Sequence, residues 1–225
     1  MLDVKALLSS PKISSNYYVN EAYLQGDFEA GLLESRAGDR LLALPDTFLQ
    51  GVYSGIEDEL GAAAHQVLFS CGRWWGKNFY RRFAREMAEY HGKLLAELEM
   101  INFIQSLKQC WKAHGLGTIE LDMQNRDQGF IVVRSSKSSF AQAAGKRDKP
   151  SSAAEAGFFS AFFTQLSGEP LHCVQTACES AGAPFNSFIV GTENRLRVAE
   201  AGIEEGESHT NIMQRLCPTV DEGEE

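Results

Sequence analysis

The chain has 225 residues, 44% of them hydrophobic and including 14 Phe, 6 Tyr and 3 Trp, which supports one substantial core and excludes a disordered chain. Its formal net charge is −9, but residues 200–225 set eight acids against Arg215 alone and carry −7 of it, leaving 22 acids against 20 bases elsewhere. A near-neutral body lacks the basic face of a nucleic-acid binder, and no run of about 18 apolar residues is present, so neither nucleic acid nor a transmembrane segment is expected.

Cys71, Cys110, Cys173, Cys178 and Cys217 form an odd set with apolar or helical neighbours, the pattern of reduced thiols in a cytoplasmic protein rather than of a disulfide framework. The first ten residues are too short and polar for a signal peptide, so any membrane contact would be peripheral.

A polar lead-in occupies residues 1–24. Stretches 29–34 and 40–44 then flank Ser35-Arg-Ala-Gly-Asp39 as a hairpin, with Gly38 free to take a positive φ. Pro45-Asp-Thr47 opens a helix, Thr47 and Gln50 have capping-box spacing, and Leu49, Val52, Tyr53, Ile56 and Leu60 make one stripe ended by Gly61. In the aromatic stretch 67–80 the period predicts a helix from Trp75, with Trp75, Phe79, Phe83 and Met87 inward and Lys77, Arg81, Arg82 and Arg85 outward. A further helix is predicted over 93–113, with Leu94, Leu98, Ile101, Ile104, Leu107 and Trp111 inward.

The period then changes to two. Ile119, Leu121 and Met123 read as a half-buried strand, residues 125–129 as a turn, and 130–133 as the returning strand. The small, polar stretch 141–154 reads as a mobile loop. Phe158, Phe159, Phe162, Phe163 and Leu166 mark an apolar helix ended by Gly168. Strands at 171–178 and 185–190 are joined through Ala181-Gly-Ala-Pro184, and a polar helix near 194–201 leads to an acidic end. Antiparallel hairpins and several helices without regular βαβ alternation give an α+β class, with a body over 25–192 and a helical, acidic tail over 193–225.

His172, Cys173 and Cys178 invite a metal reading. On a strand, however, His172 and Cys178 share a face roughly 20 Å apart and Cys173 points away, so zinc is not expected and Cys178 remains only a weak metal candidate. Cys71, beside Gly72 and Arg73, is the thiol placed for a lowered pKa, but no catalytic motif surrounds it and no catalytic residue is assigned. The set Cys71, Arg73, Trp74, Trp75, Lys77, Phe79, Tyr80 and Arg81 combines aromatic walls with rim cations, suiting a flat hydrophobic small molecule that bears carboxylates. An amphipathic core helix with a solvated basic face explains the same period but leaves Trp74 unexplained.

Cys71-Gly-Arg73 before a helix, Leu166-Ser-Gly168, and Val174-x-Thr-x-Cys178-x-x-x-Gly182-x-Pro184 with Phe188 resemble the V4R (4-vinyl reductase) family. That resemblance implies a Bet3-like α+β fold, often dimeric, with a hydrophobic ligand cavity and a possible metal site in the closing hairpin. Gln175 stands where an acid is common and Asn186 where a second cysteine is expected. Residues 25–34, 40–46 and 71–79 are similar to stand-alone cyanobacterial V4R proteins linked to photosystem II assembly. The implied ligand is a bilin or other tetrapyrrole, the implied partners are photosystem assembly proteins or a second copy, and the implied location is cytoplasmic or peripheral on the thylakoid membrane. An enzyme of tetrapyrrole metabolism using Cys71 or Cys178, and a ligand-free dimeric scaffold, stay open as alternatives.

Overall fold

The computed structural model describes residues 17–218; most of the predicted lead-in and the acids Asp221, Glu222, Glu224 and Glu225 lie outside that range. A helical turn, α1 (Asn20–Tyr23), precedes a small antiparallel sheet of β1 (Leu24–Asp27), β2 (Leu32–Ser35) and β3 (Arg40–Leu41). Three helices follow: α2 (Asp46–Leu60), α3 (Ala64–His91) and α4 (Met100–Ala113). The second half contributes β4 (Thr118–Asp122), β5 (Ile131–Ser136), α5 (Ser139–Ala144), α6 (Ala153–Ser167), β6 (His172–Ala177) and β7 (Asn186–Gly191). Two C-terminal helices close it, α7 (Glu193–Glu204) and α8 (His209–Leu216).

Strands β4-β5-β7-β6 form one antiparallel sheet whose side-chain alternation builds two cores. Phe188, Val190, Val133 and Cys173 join the aromatic core with α6, while Ile189, Val132 and Val174 pack on the other side with Leu196, Ala199 and Ile212 of α7 and α8. Helix α6 is therefore enclosed by the sheet on one side and α3 on the other, and every residue from Ala153 to Phe163 is buried. A helix apolar all round is one that must be covered all round, and its sequence reads that way.

The α3–α6 contact is set by glycine. A Cβ on Gly72 would lie 1.9 Å from the Ala154 carbonyl oxygen, one on Gly76 2.3 Å from that of Phe158, and one on Gly157 2.0 Å from that of Phe69. These three positions let the two backbones touch. They also correct the predicted start at Trp75: α3 begins at Ala64 and runs unbroken through Cys71-Gly72-Arg73. Each interior glycine weakens a helix by about 1 kcal/mol relative to alanine, which the close packing offsets.

Other boundaries move for local reasons. The predicted capping box is not formed, because α2 starts one residue earlier with Pro45 at the cap position and no side-chain cap. Gly61 ends α2 with φ 49°, as its position predicts. The predicted 93–113 helix begins only at Met100; Leu94 lies before a short 3-10 turn and is 66% exposed. The stretch read as a loop over 141–154 holds the end of α5 and the start of α6, and Arg147 within it pairs with Glu57 at 2.6 Å. Among the described residues no helix is long and apolar enough to cross a membrane.

Candidate ligand-binding cleft

A cleft of about 750 Å³ opens where the first half of α3, the start of α6, strand β6 and α7 meet. Its apolar lining comes from Phe69, Ala153, Ala156, Val174 and Ile203. The Phe69 and His172 rings lie 5.1 Å apart, and His172 Nε2 meets Glu200 Oε1 at 3.3 Å. Lys149 Nζ reaches Glu204 at 2.7 Å, joining the 145–152 segment to α7 at the rim. His65 and Arg73, one and three turns into α3, also line the cleft, and among the described residues neither forms an ion pair. The arrangement is an apolar floor with the uncommitted Arg73 guanidinium on one wall and Glu193 among the other lining residues, which can hold an apolar body whose anionic group meets Arg73.

The sequence-predicted site residues are not brought together. Cys71, Arg73, Trp74, Lys77 and Arg81 are exposed, whereas Trp75, Phe79 and Tyr80 turn inward. Trp75 and Phe79 stand 4.4 and 5.0 Å from the Phe158 ring, so the intended ligand walls pack on core rings instead. The helical period separates the set: 100° per residue puts Trp74 and Phe79 on opposite sides. Arg73 alone of the eight lines the cleft. Cys71 is an exposed residue in the middle of α3, far from the helix N-terminus that would activate it.

A cysteine–histidine contact exists elsewhere, at Cys110 and His114, with Sγ 3.8 Å from Nδ1. It does not make a nucleophile pair. Nδ1 donates to the Cys110 carbonyl at 2.7 Å, while Nε2 accepts from Arg82 at 2.7 Å and Tyr23 at 3.2 Å. Burial, aided by the Arg82 charge, lowers the His114 pKa to about 4, and burial drives the Cys110 thiol upward. Beside them Tyr18 donates to the buried Glu86 at 2.8 Å, and burial raises that carboxyl despite the bond.

Below the cleft, the closing hairpin holds a hydrogen-bonded cluster. Gln175 Oε1 accepts the Ser152 N–H at 2.8 Å, and Asn186 Oδ1 accepts the Glu179 N–H at 2.8 Å. Asn186 Nδ2 donates to Glu179 at 2.8 Å and to Ser135 Oγ at 3.2 Å. Glu179 in turn accepts the Lys137 and Ser138 N–H groups at 2.9 and 3.1 Å. Cys178 Sγ meets Ser180 Oγ at 2.9 Å and Ser152 Oγ at 3.6 Å. Burial raises this thiol, but hydrogen bonds from Ser180, Ser151 and Ser152 outweigh it and leave the pKa below the usual value.

This donor set does not fit zinc. One thiol is surrounded by hydroxyls and amides, and among the described residues no three His, Cys, Asp or Glu side chains converge to hold a metal ion. Asn186 instead satisfies both the Glu179 carboxylate and its amide. Asn186→Ala is expected to lower stability by about 2 kcal/mol by orphaning those groups, measured by urea unfolding; an unchanged midpoint would discount the network.

Sequence reasoning missed the cleft because its walls are spread over residues 65–204. It also missed Glu86 and Glu155, whose signal is a single acid among inward-facing positions of an apolar helix face.

Residues 131–192 match the V4R domain model. The matched segment runs from β5 through α6 to the end of β7, so it contains the hairpin cluster and, of the cleft's apolar lining, Ala153, Ala156 and Val174. No curated protein matches the chain in sequence. Among solved structures, the phenol-responsive sensory domain of the transcription activator PoxR, with phenol, superposes with a TM-score of 0.64 at 14% identity, covering 91% of this chain and 97% of that one. A vinyl-4-reductase family protein from Methanocaldococcus jannaschii gives a TM-score of 0.42 at 14% identity, covering 67% and 82% of the two chains. A trafficking protein particle complex subunit 3 from Naegleria fowleri, covalently bound to palmitic acid, gives 0.47 at 14% identity, covering 65% and 93%. The fold is the α+β arrangement that the V4R resemblance implies, with antiparallel sheets packed against helices.

Proposed function

We propose that this chain is a non-enzymatic small-molecule-binding protein whose ligand occupies the α3–α6–β6–α7 cleft. The ligand on this reading is a tetrapyrrole such as a bilin, and the protein serves photosystem II assembly as an accessory factor, dimeric and peripheral to the thylakoid surface. The observation that carries the binding role is a cleft of about 750 Å³ with an apolar floor, edged by Arg73 and His65, neither of them in an ion pair among the described residues. That volume falls within the roughly 300–1,000 Å³ of small-molecule sites. A V4R-matching segment that supplies Ala153, Ala156 and Val174 of the floor supports the reading, as does a similar fold whose structure holds phenol, a small aromatic molecule. Propionate groups of a bilin would meet Arg73, and its pyrrole rings would lie against Phe69.

A visible-absorption titration with biliverdin tests this. The expected result is a shifted, intensified band, with affinity reduced about tenfold in Arg73→Gln through loss of a charge-assisted contact. No spectral change with any tetrapyrrole would sink the ligand assignment. A change that survives both Arg73→Gln and Phe69→Ala intact would move the site out of this cleft.

A further inference from the structure

The outer face of α3 is left over by the cleft and by the core. Trp74 stands 71% exposed on it, beside Lys77 and Arg81, both exposed, and Asn78, whose Nδ2 donates to the Trp74 carbonyl at 2.8 Å. At 100° per residue these four side chains share one side of the helix, opposite Gly72, Gly76, Phe79 and Phe83. The inner side is clamped to α6 by backbone contact, so the outer side is presented on a rigid support. From Leu60 to Arg85 the sequence contains no Asp or Glu. Arg85, a turn further along the same face, is paired with Asp39, whereas Lys77 and Arg81 form no ion pair among the described residues.

We propose that this face docks an acidic segment of a partner protein, with the Trp74 indole as the buried anchor and Lys77 and Arg81 pairing with carboxylates beside it. Charge complementarity identifies the partner's sign: the patch presents Lys77 and Arg81, in no ion pair among the described residues, on a basic stretch of 26 residues that holds no carboxylate, so it attracts acidic groups. The side-chain composition identifies its class. Tryptophan and arginine are the residues most enriched at the energetic centres of protein interfaces. Binding in a bilayer interface scales with the apolar area inserted, and this face offers a single indole, which favours the protein partner.

Trp74 is the exposed tryptophan, with Trp75 half-buried and Trp111 buried, so intrinsic fluorescence reports on the patch. Titration with poly-L-glutamate at low salt is expected to give a saturable blue shift that raised salt removes. Trp74→Ala should abolish the signal. The double variant Lys77→Gln/Arg81→Gln should weaken binding about tenfold, with thermal unfolding unchanged because all three side chains are exposed. Arg73 is left intact, so the biliverdin titration of the cleft is independent of this one. The proposal is overturned by the lack of a saturable shift or by equal affinity in the double variant. A response to phosphatidylglycerol vesicles but not to poly-L-glutamate overturns it in favour of a bilayer surface. A shift that depends on protein concentration without any probe overturns it in favour of a second copy.

Discussion

Gly157→Ala is expected to destabilise the protein by about 3 kcal/mol or more. The added Cβ would lie 2.0 Å from the Phe69 carbonyl oxygen, 2.9 Å from its carbon and 3.1 Å from the Arg73 nitrogen. Non-bonded carbon contacts settle at about 3.5 Å or beyond, so the α3 and α6 backbones would have to separate. Helix α6 has nowhere to go. Its other side carries Phe159, 5.1 Å from the Phe188 ring on β7, and Phe163 in the same core. Helix propensity alone predicts the opposite sign, a gain of about 1 kcal/mol for replacing an interior glycine with alanine. Helix α2 supplies the control, because a Cβ added at Gly51 or Gly55 would meet no atom within 4 Å, and Ala at either should stabilise by about 0.5–1 kcal/mol. Urea midpoints of the three single variants decide the matter. A Gly157→Ala protein as stable as the parent would show that the close approach is not required.

The same glycines explain where sequence reading stopped short. The period of Trp75, Phe79, Phe83 and Met87 located α3, and Phe79, Phe83 and Met87 are buried as that period requires. Its first eleven residues were hidden because Cys71-Gly72-Arg73 read as a stretch before a helix rather than as part of one. In one dimension a glycine that ends a helix and a glycine that admits another backbone look alike. The residue that distinguishes them here is Gly157, far along the chain on α6. Helix α5 was lost inside a polar stretch although its start carries a legible cap: Ser138 Oγ accepts the Phe140 and Ala141 N–H groups. In the small N-terminal sheet the β2–β3 hairpin was legible, with Gly38 at φ 79°, whereas β1 reads Leu-Gln-Gly-Asp and offers no alternation to find. The four strands of the larger sheet were visible, because β4 alternates between core and solvent and the other three alternate between two apolar cores or lie buried between them.

The candidate site divided along a similar line. Residue chemistry pointed to α3, but a list of adjacent residues on a helix spreads over its whole circumference, and of the eight only Arg73 lines the candidate cleft. The other walls come from α6, β6 and α7, whose juxtaposition depends on strand order rather than on local pattern. The hairpin was more legible. Gln175 and Asn186 stand in place of anionic ligands, and their amides each supply a donor and an acceptor to a cluster that runs from the buried hairpin out to the partly buried Glu179.

Glu155 makes that cluster pH-sensitive, and Glu155→Gln is expected to raise stability by about 3 kcal/mol at pH 8 while leaving it nearly unchanged below about pH 4.5. The carboxyl is wholly buried in the first turn of α6, and burial raises its pKa from 4.5 to about 7 even though the Ser135 and Ser138 hydroxyls pull it down. Ser138 donates to it at 2.7 Å, and the nearby Glu179 carboxylate adds to the upward shift. Between these two pKa values the folded chain retains a proton that the unfolded chain has released. Stability from this group is therefore fully present at low pH and is lost as pH rises towards 7. His114 works in the other direction: its folded pKa of about 4 lies below the 6.5 of a free imidazole, so its contribution grows as pH rises from 4 to 6.5. The two slopes oppose one another, and the parent protein's own pH profile will understate both. The difference between parent and Glu155→Gln isolates one of them, because the amide keeps the shape and removes the titration. Urea unfolding across pH 4 to 8 should give a difference that opens between about pH 4.5 and 7 and then levels. A difference independent of pH would mean that Glu155 is ionised in the folded protein throughout, with its charge balanced by the surrounding hydroxyls.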